Sequence, residues 1–162
     1  MLKLYKNSED AIRFWETWDN GDGSHTIHWG AIGERGESKV LKPSLFSKPQ
    51  SKIQQEIDRR VSEGYRPIAI EDHRRLLIEF AVEGHGESRD IEKRHRLEER
   101  MNETLGWTGL GICDGGSIGS GTMEVCCYVV EFEAAKRVIE GDLNGTEFEN
   151  YSRIYDEKAS GA

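Results

Sequence analysis

The chain has little of what would tie it to a secreted or membrane-bound life: three cysteines, three prolines and no long apolar run in 162 residues. An odd cysteine count, with two adjacent at Cys126 and Cys127, cannot all pair within the chain, which excludes a disulfide scaffold and predicts free thiols. Nothing approaches the roughly 18 apolar residues of a membrane span. The opening Met-Leu-Lys-Leu-Tyr-Lys-Asn-Ser also lacks the apolar centre of a signal peptide, so a soluble, cytoplasmic protein is expected. Metal and nucleotide motifs are missing as well. The five histidines and three cysteines form no Cys-x-x-Cys or His-Glu-x-x-His spacing, and His25 and His28, an odd number apart, cannot share a strand face. No metal or cofactor is expected.

What is present suffices for a fold. Four Trp, five Tyr and five Phe are too many for a disordered chain, although mean hydropathy is low at -0.69. The net charge of -8 is unevenly spread: Met1 to Ile70 carries 11 basic against 10 acidic side chains, and Glu71 to Ala162 carries 11 against 20. With Arg66-Pro67 at the change, two domains are expected, residues 1–70 and 71–157, followed by a frayed tail at 158–162.

The first half reads as strands followed by one helix. Leu2–Lys6 and Ala11–Trp18 have strand-like spacing around the turn formers Asn7 to Asp10. After Asn20-Gly21-Asp22-Gly23, His25–Ile32 alternates, and Gly33 to Gly36 turns the chain into Ser38–Leu41. Ser51 with Gln54 forms a capping-box pattern, Ile53, Ile57 and Val61 recur every four residues, and Gly64 suits a helix C-cap.

With Trp15, then Trp29-Gly30-Ala31-Ile32-Gly33 and Gly36, then a helix closing in Glu63-Gly64-Tyr65, residues 1 to 67 resemble the WGR domain. That family is best known from poly(ADP-ribose) polymerases, where it contacts DNA ends and relays the contact to the catalytic part; it also occurs in bacterial proteins without a polymerase domain. The resemblance implies nucleic-acid contact at Trp29 and Gly30. The motif arginine, a link to a partner, is replaced here by Ala31, which can neither grip phosphate nor bridge to a neighbour. Arg35, Lys39, Lys52, Arg59 and Arg60 are the candidate phosphate contacts, in a segment from Glu34 to Arg66 with eight cations against five acids. Both assignments have plainer alternatives. Trp29 on an alternating strand also suits a core aromatic, and the helix cations also suit a solvated face.

The second half reads as β-α-β-β-α-β, the order of a ferredoxin-like sandwich, giving an α+β protein overall. Leu76 to Glu83 alternates as a strand, Ser88 caps a helix bearing Ile91, Leu97, Met101 and Leu105, and a second helix carries Phe132, Ala135, Val138, Ile139 and Leu143. Strands are predicted over Thr108–Asp114, Thr122–Val130 and Tyr151–Tyr155, the first two joined by a Gly115–Gly121 loop that reads as a hairpin rather than a phosphate cradle, since no helix follows it. This half is also similar to small bacterial domains of uncharacterised or immunity-protein type. One sheet face would be left open, with Glu79, Glu83, Glu124 and Tyr128 on it, suited to a basic protein partner and repellent to nucleic acid. An open sheet has no water-excluding pocket for paired carboxylates, and the cysteines read as small buried hydrophobes, so catalysis is not expected.

Two functions remain open. One is a non-catalytic bacterial binding or regulatory protein, its WGR-like half docking nucleic acid and its acidic half docking a protein. The alternative is an immunity-type inhibitor covering a basic toxin or enzyme, without nucleic-acid binding.

Overall fold

The structure, a computed structural model, describes residues 1–43 and 49–160, so Lys48, one of the cations counted above, lies outside the described residues. The protein is α+β, with two four-stranded antiparallel sheets. The chain divides into two compact units, Met1–Ile68 and Ala69–Ala162.

In the first unit, β1 (Leu2–Asn7), β2 (Ile12–Asp19), β3 (His25–Ala31) and β4 (Glu37–Leu41) pair in sequence order as a meander. The β2–β3 turn is held by its own polar side chains. Asp22 accepts from the backbone N–H and hydroxyl of Ser24, and those bonds hold its carboxyl below the usual range. Helix α1 (Pro49–Ser62) follows. It starts at Pro49, not at the expected Ser51 cap: proline suits a first-turn position, where no backbone donor is missed. Gln54 is not part of a capping box; its amide donates to Asp58 instead. Ile53 and Ile57 pack on Leu4, Trp15, Ile27 and Tyr65, while Val61 is exposed. The chain then returns along β1, with Tyr5 and Arg66 exchanging backbone hydrogen bonds at 2.8 Å.

The second unit runs β5 (Arg74–Ala81), α2 (Ser88–Trp107), β6 (Gly111–Gly119), β7 (Thr122–Val129), α3 (Phe132–Leu143) and β8 (Arg153–Asp156). Its sheet order is β6-β7-β5-β8. Leu97, Met101 and Leu105 of α2 and Ala135, Ile139 and Leu143 of α3 are buried, as are Leu76, Ile78, Phe80, Met123, Val125 and Cys127 of the central strands. Alternate residues of those strands therefore face helices, and the intervening ones form a second, open face.

Several boundaries differ from expectation. The α2 cap is Glu87, whose backbone N–H bonds back to Asp90 in a capping box, and Ile91 is exposed rather than on the apolar stripe. Residues 115–119 are strand, not loop. The true connection is the pair Ser120-Gly121, both at positive φ, the geometry of a two-residue hairpin turn. A bulge between Cys113 and Gly116 sets two residues of β6 against one of β7. Strand β6 is an edge, and α2 closes it: Arg94 donates to the Gly116 carbonyl at 2.7 Å and Asn102 accepts from the Cys113 N–H at 2.8 Å. At the C-terminal end, Glu157–Ser160 forms a single helical turn; residues 161 and 162 of the expected frayed tail lie outside the described residues.

Candidate functional site

In the first unit, sheet alternation puts Trp29 on the face that carries α1. It is half-buried beside the Trp15 core, with the Lys39 ammonium 5.8 Å from its ring centroid. Lys39 and Leu41 of β4 and Lys52, Gln55, Glu56 and Arg59 of α1 line a groove of about 460 Å³. Four of the sequence-selected residues thus come together: Trp29, Lys39, Lys52 and Arg59. Glu56 ties two of the cations, reaching Lys39 at 3.6 Å and Arg59 at 2.6 Å, which fixes their heads at the groove without neutralising the set.

The other three do not join them. Arg60 lies over the Tyr65 ring, 5.5 Å from its centroid, and pairs with Glu63 at 3.0 Å. Arg35 sits in the β3–β4 turn, which folds toward the opposite face of the sheet, and Gly30 is occupied by close packing. A Cβ on Gly30 would meet the Gly36 Cα at 2.8 Å, and one on Gly36 would meet the Trp29 carbonyl oxygen at 2.3 Å. With φ of +66° at Gly36, both positions need glycine for the turn to lie on Phe14. The Trp-Gly pair therefore has a packing reason independent of any ligand. Ala31 is buried.

That same turn is pinned by a group the sequence reading passed over. His28, 1% exposed, places Nδ1 2.7 Å from the Glu16 carboxylate and Nε2 2.6 Å from the Arg35 carbonyl. The ring thus bridges a side chain of β2 and the backbone of the β3–β4 turn. Lys3 completes the cluster, 3.2 Å from the other Glu16 oxygen. Burial, and then the Glu16 charge, pushes the Tyr5 hydroxyl well above its usual range. Glu16 and His28 lie in register across the β2–β3 hairpin, a signal available once the turn at Asp22 is placed.

In the second unit, the open face carries Tyr128, Cys126 and Glu124 of β7 opposite Arg75, Leu77 and Glu79 of β5, with Tyr155 and Arg153 of β8 beyond. The reading of this face as acidic requires correction. Strand β5 begins at Arg74, which brings Arg75 onto the face, and β8 adds Arg153. Glu79 is bound by Arg153 through both oxygens, at 3.1 and 2.8 Å, and Glu124 accepts from the Tyr155 hydroxyl at 2.5 Å. Loss of water and then the Glu124 bond push the Tyr155 hydroxyl up to about 12. Glu83 is not on the sheet; it lies in the turn after β5. Tyr128 does face out, under the Arg75 guanidinium, which also pairs with Glu157. Arg75, Leu77, Asp114, Ser117, Cys126 and Tyr128 help line a depression of about 240 Å³. The acidic excess of this unit lies mainly off the sheet.

Among the described residues, no group of three or more His, Cys, Asp or Glu side chains could hold a metal ion, and no helix is long and apolar enough to cross a membrane. No protein-family model, curated protein or solved structure matches the chain.

Proposed function

We propose that this is a non-catalytic binding protein whose first unit, WGR-like, docks the sugar-phosphate backbone of nucleic acid, and whose second unit, ferredoxin-like, docks a protein. The observation that carries the reading is the convergence of Lys39 of β4 with Lys52 and Arg59 of α1 on one groove beside Trp29. Each phosphate that such a cation contacts releases counterions, so binding here would weaken with salt in proportion to the number of contacts. The strand order β6-β7-β5-β8, with two helices on one face, supports the ferredoxin-like assignment, and the open face with Tyr128 and Tyr155 supplies a polar, aromatic docking surface.

The test is fluorescence anisotropy of a labelled short DNA duplex titrated with the full chain at two salt concentrations. Three phosphate contacts give a slope of about -2.7 in log K against log salt, or roughly 40-fold weaker binding between 50 and 200 mM salt. Lys52→Glu and Arg59→Glu together abolish the shift, while Trp29→Ala weakens binding and leaves the slope unchanged. Absence of binding at low salt, or binding indifferent to salt, overturns the nucleic-acid reading. The inhibitor reading then gains ground, supported by the charge of -9 between Glu71 and Ala162.

A further inference from the structure

We propose that Cys113 and Cys127 form a peroxide-sensitive dithiol that closes to a disulfide across β6 and β7. The two residues are direct cross-strand partners. The hydrogen-bond phase identifies which kind of pair they are. Val130 N–H donates to the Leu110 carbonyl at 2.9 Å, so in the alternation of an antiparallel ladder the pair three residues further along is a non-hydrogen-bonded one. The Cys113 N–H agrees, being donated to Asn102 on α2 rather than to β7. Non-hydrogen-bonded partners bring their Cα atoms to about 4.5 Å and their side chains closest, inside the roughly 4.4–6.8 Å span that a disulfide accepts. Both side chains stand on the same, helix-covered face, both are free thiols, and both are buried.

The surroundings divide the roles. Cys113 stands immediately before the bulge, on an edge strand, and is 7% exposed, whereas Cys127 is 0% exposed on an inner strand. Hydrogen bonding to Cys113 and burial push the Cys127 thiol well above its usual range, which keeps it protonated and unreactive toward oxidants. Cys113 is therefore the sulfur that meets the oxidant. Its thiolate attacks one peroxide oxygen, breaking the O–O bond to give a sulfenic acid and hydroxide. That hydroxide takes the Cys127 thiol proton, giving the first water, and the Cys127 thiolate so formed attacks the Cys113 sulfur, making the S–S bond as the sulfenic hydroxide leaves. The leaving hydroxide takes up the proton that Cys113 released on ionising, so two thiols and one hydrogen peroxide yield one disulfide and two waters. Cys126, on the opposite face of β7, takes no part.

The experiment exposes the full folded chain to hydrogen peroxide, alkylates remaining thiols after denaturation, and maps peptides by mass. Cleavage after Glu124 separates Cys113 from Cys126 and Cys127, so a surviving link between the two peptides is diagnostic. The expected result is one linked pair, lighter than the two free-thiol peptides by two hydrogen atoms, released by dithiothreitol, present in Cys126→Ser and absent in Cys113→Ser. The wild-type map reports the link without any variant having to fold. Quantitative alkylation of all three cysteines after peroxide, a link that disappears in Cys126→Ser, or Cys113 accumulating as sulfinic acid beside a free Cys127 would each overturn the proposal.

Discussion

Replacing His28 by leucine tests whether the β3–β4 turn is held by the buried polar cluster or merely by chain connectivity. The imidazole is 1% exposed and bonds the Glu16 carboxylate at 2.7 Å and the Arg35 carbonyl at 2.6 Å. Leucine keeps much of the volume but deletes both bonds. Glu16, 4% exposed, keeps Lys3 at 3.2 Å but loses the imidazole, and the Arg35 carbonyl loses its bond to Nε2. Each buried polar group left without its hydrogen-bond partner costs about 1–3 kcal/mol, and Lys3 retains part of the Glu16 interaction, so His28→Leu is expected to lose about 3 kcal/mol. Glu16→Gln keeps an acceptor for Nδ1 and abolishes the charge, so it is expected to lose only about 1–2 kcal/mol. The assay is urea unfolding followed by tryptophan fluorescence, which favours the first unit because Trp15, Trp18 and Trp29 all lie in it. A His28→Leu protein within about 1 kcal/mol of wild type would refute the reasoning, as would Glu16→Gln being the more damaging of the two.

Three further outcomes follow from other parts of the molecule. Gly36→Ala, with φ of +66° and a Cβ 2.3 Å from the Trp29 carbonyl, is expected to destabilise the first unit by about 2 kcal/mol or more in the same urea assay. Leu105→Ala, at 0% exposure under the second sheet, should cost that unit about 2–5 kcal/mol, measured by loss of hydrogen-exchange protection in β5 and β7. Alkaline titration followed by phenolate absorbance should find Tyr5 and Tyr155 ionising late, Tyr155 near 12 against an ordinary 10.0, and Glu124→Gln should bring Tyr155 down. The sign is that of a raised value. The fold favours the protonated phenol, so this contribution to stability is whole below pH 10 and is lost as pH climbs toward 12.

The periodic elements were legible because burial imposes period. Leu97, Met101 and Leu105, and Ala135, Ile139 and Leu143, were readable as stripes since each helix has one partner surface, and α+β follows from their alternation with strands. Where side chains carry no pattern, reading failed: Gly115 to Gly119 is strand, yet glycines cannot announce a face, and the bulge that accommodates them leaves no sequence signature. Polar strand ends were missed for a related reason. Arg74 and Arg75 precede the apolar alternation that starts at Leu76, but their backbone joins the ladder with β7, and with Arg75 comes the charge that balances the open face. The candidate groove was half legible. Composition picked out Lys39, Lys52 and Arg59, but their convergence depends on how α1 crosses the sheet, which also sends Arg60 elsewhere. The Glu16–His28 pair was recoverable from hairpin symmetry about Asp22; it was overlooked because a histidine was weighed as a metal ligand rather than as a brace.

The contact between Gly30 and Gly36 links the history of the two positions. A mutation adding a methyl group at either one opens the turn over Phe14 unless the loop lengthens at the same time, so point-by-point drift is barred and only a compound change is viable. Descendants of this unit should therefore keep both glycines together or replace the whole turn at once, whatever they bind.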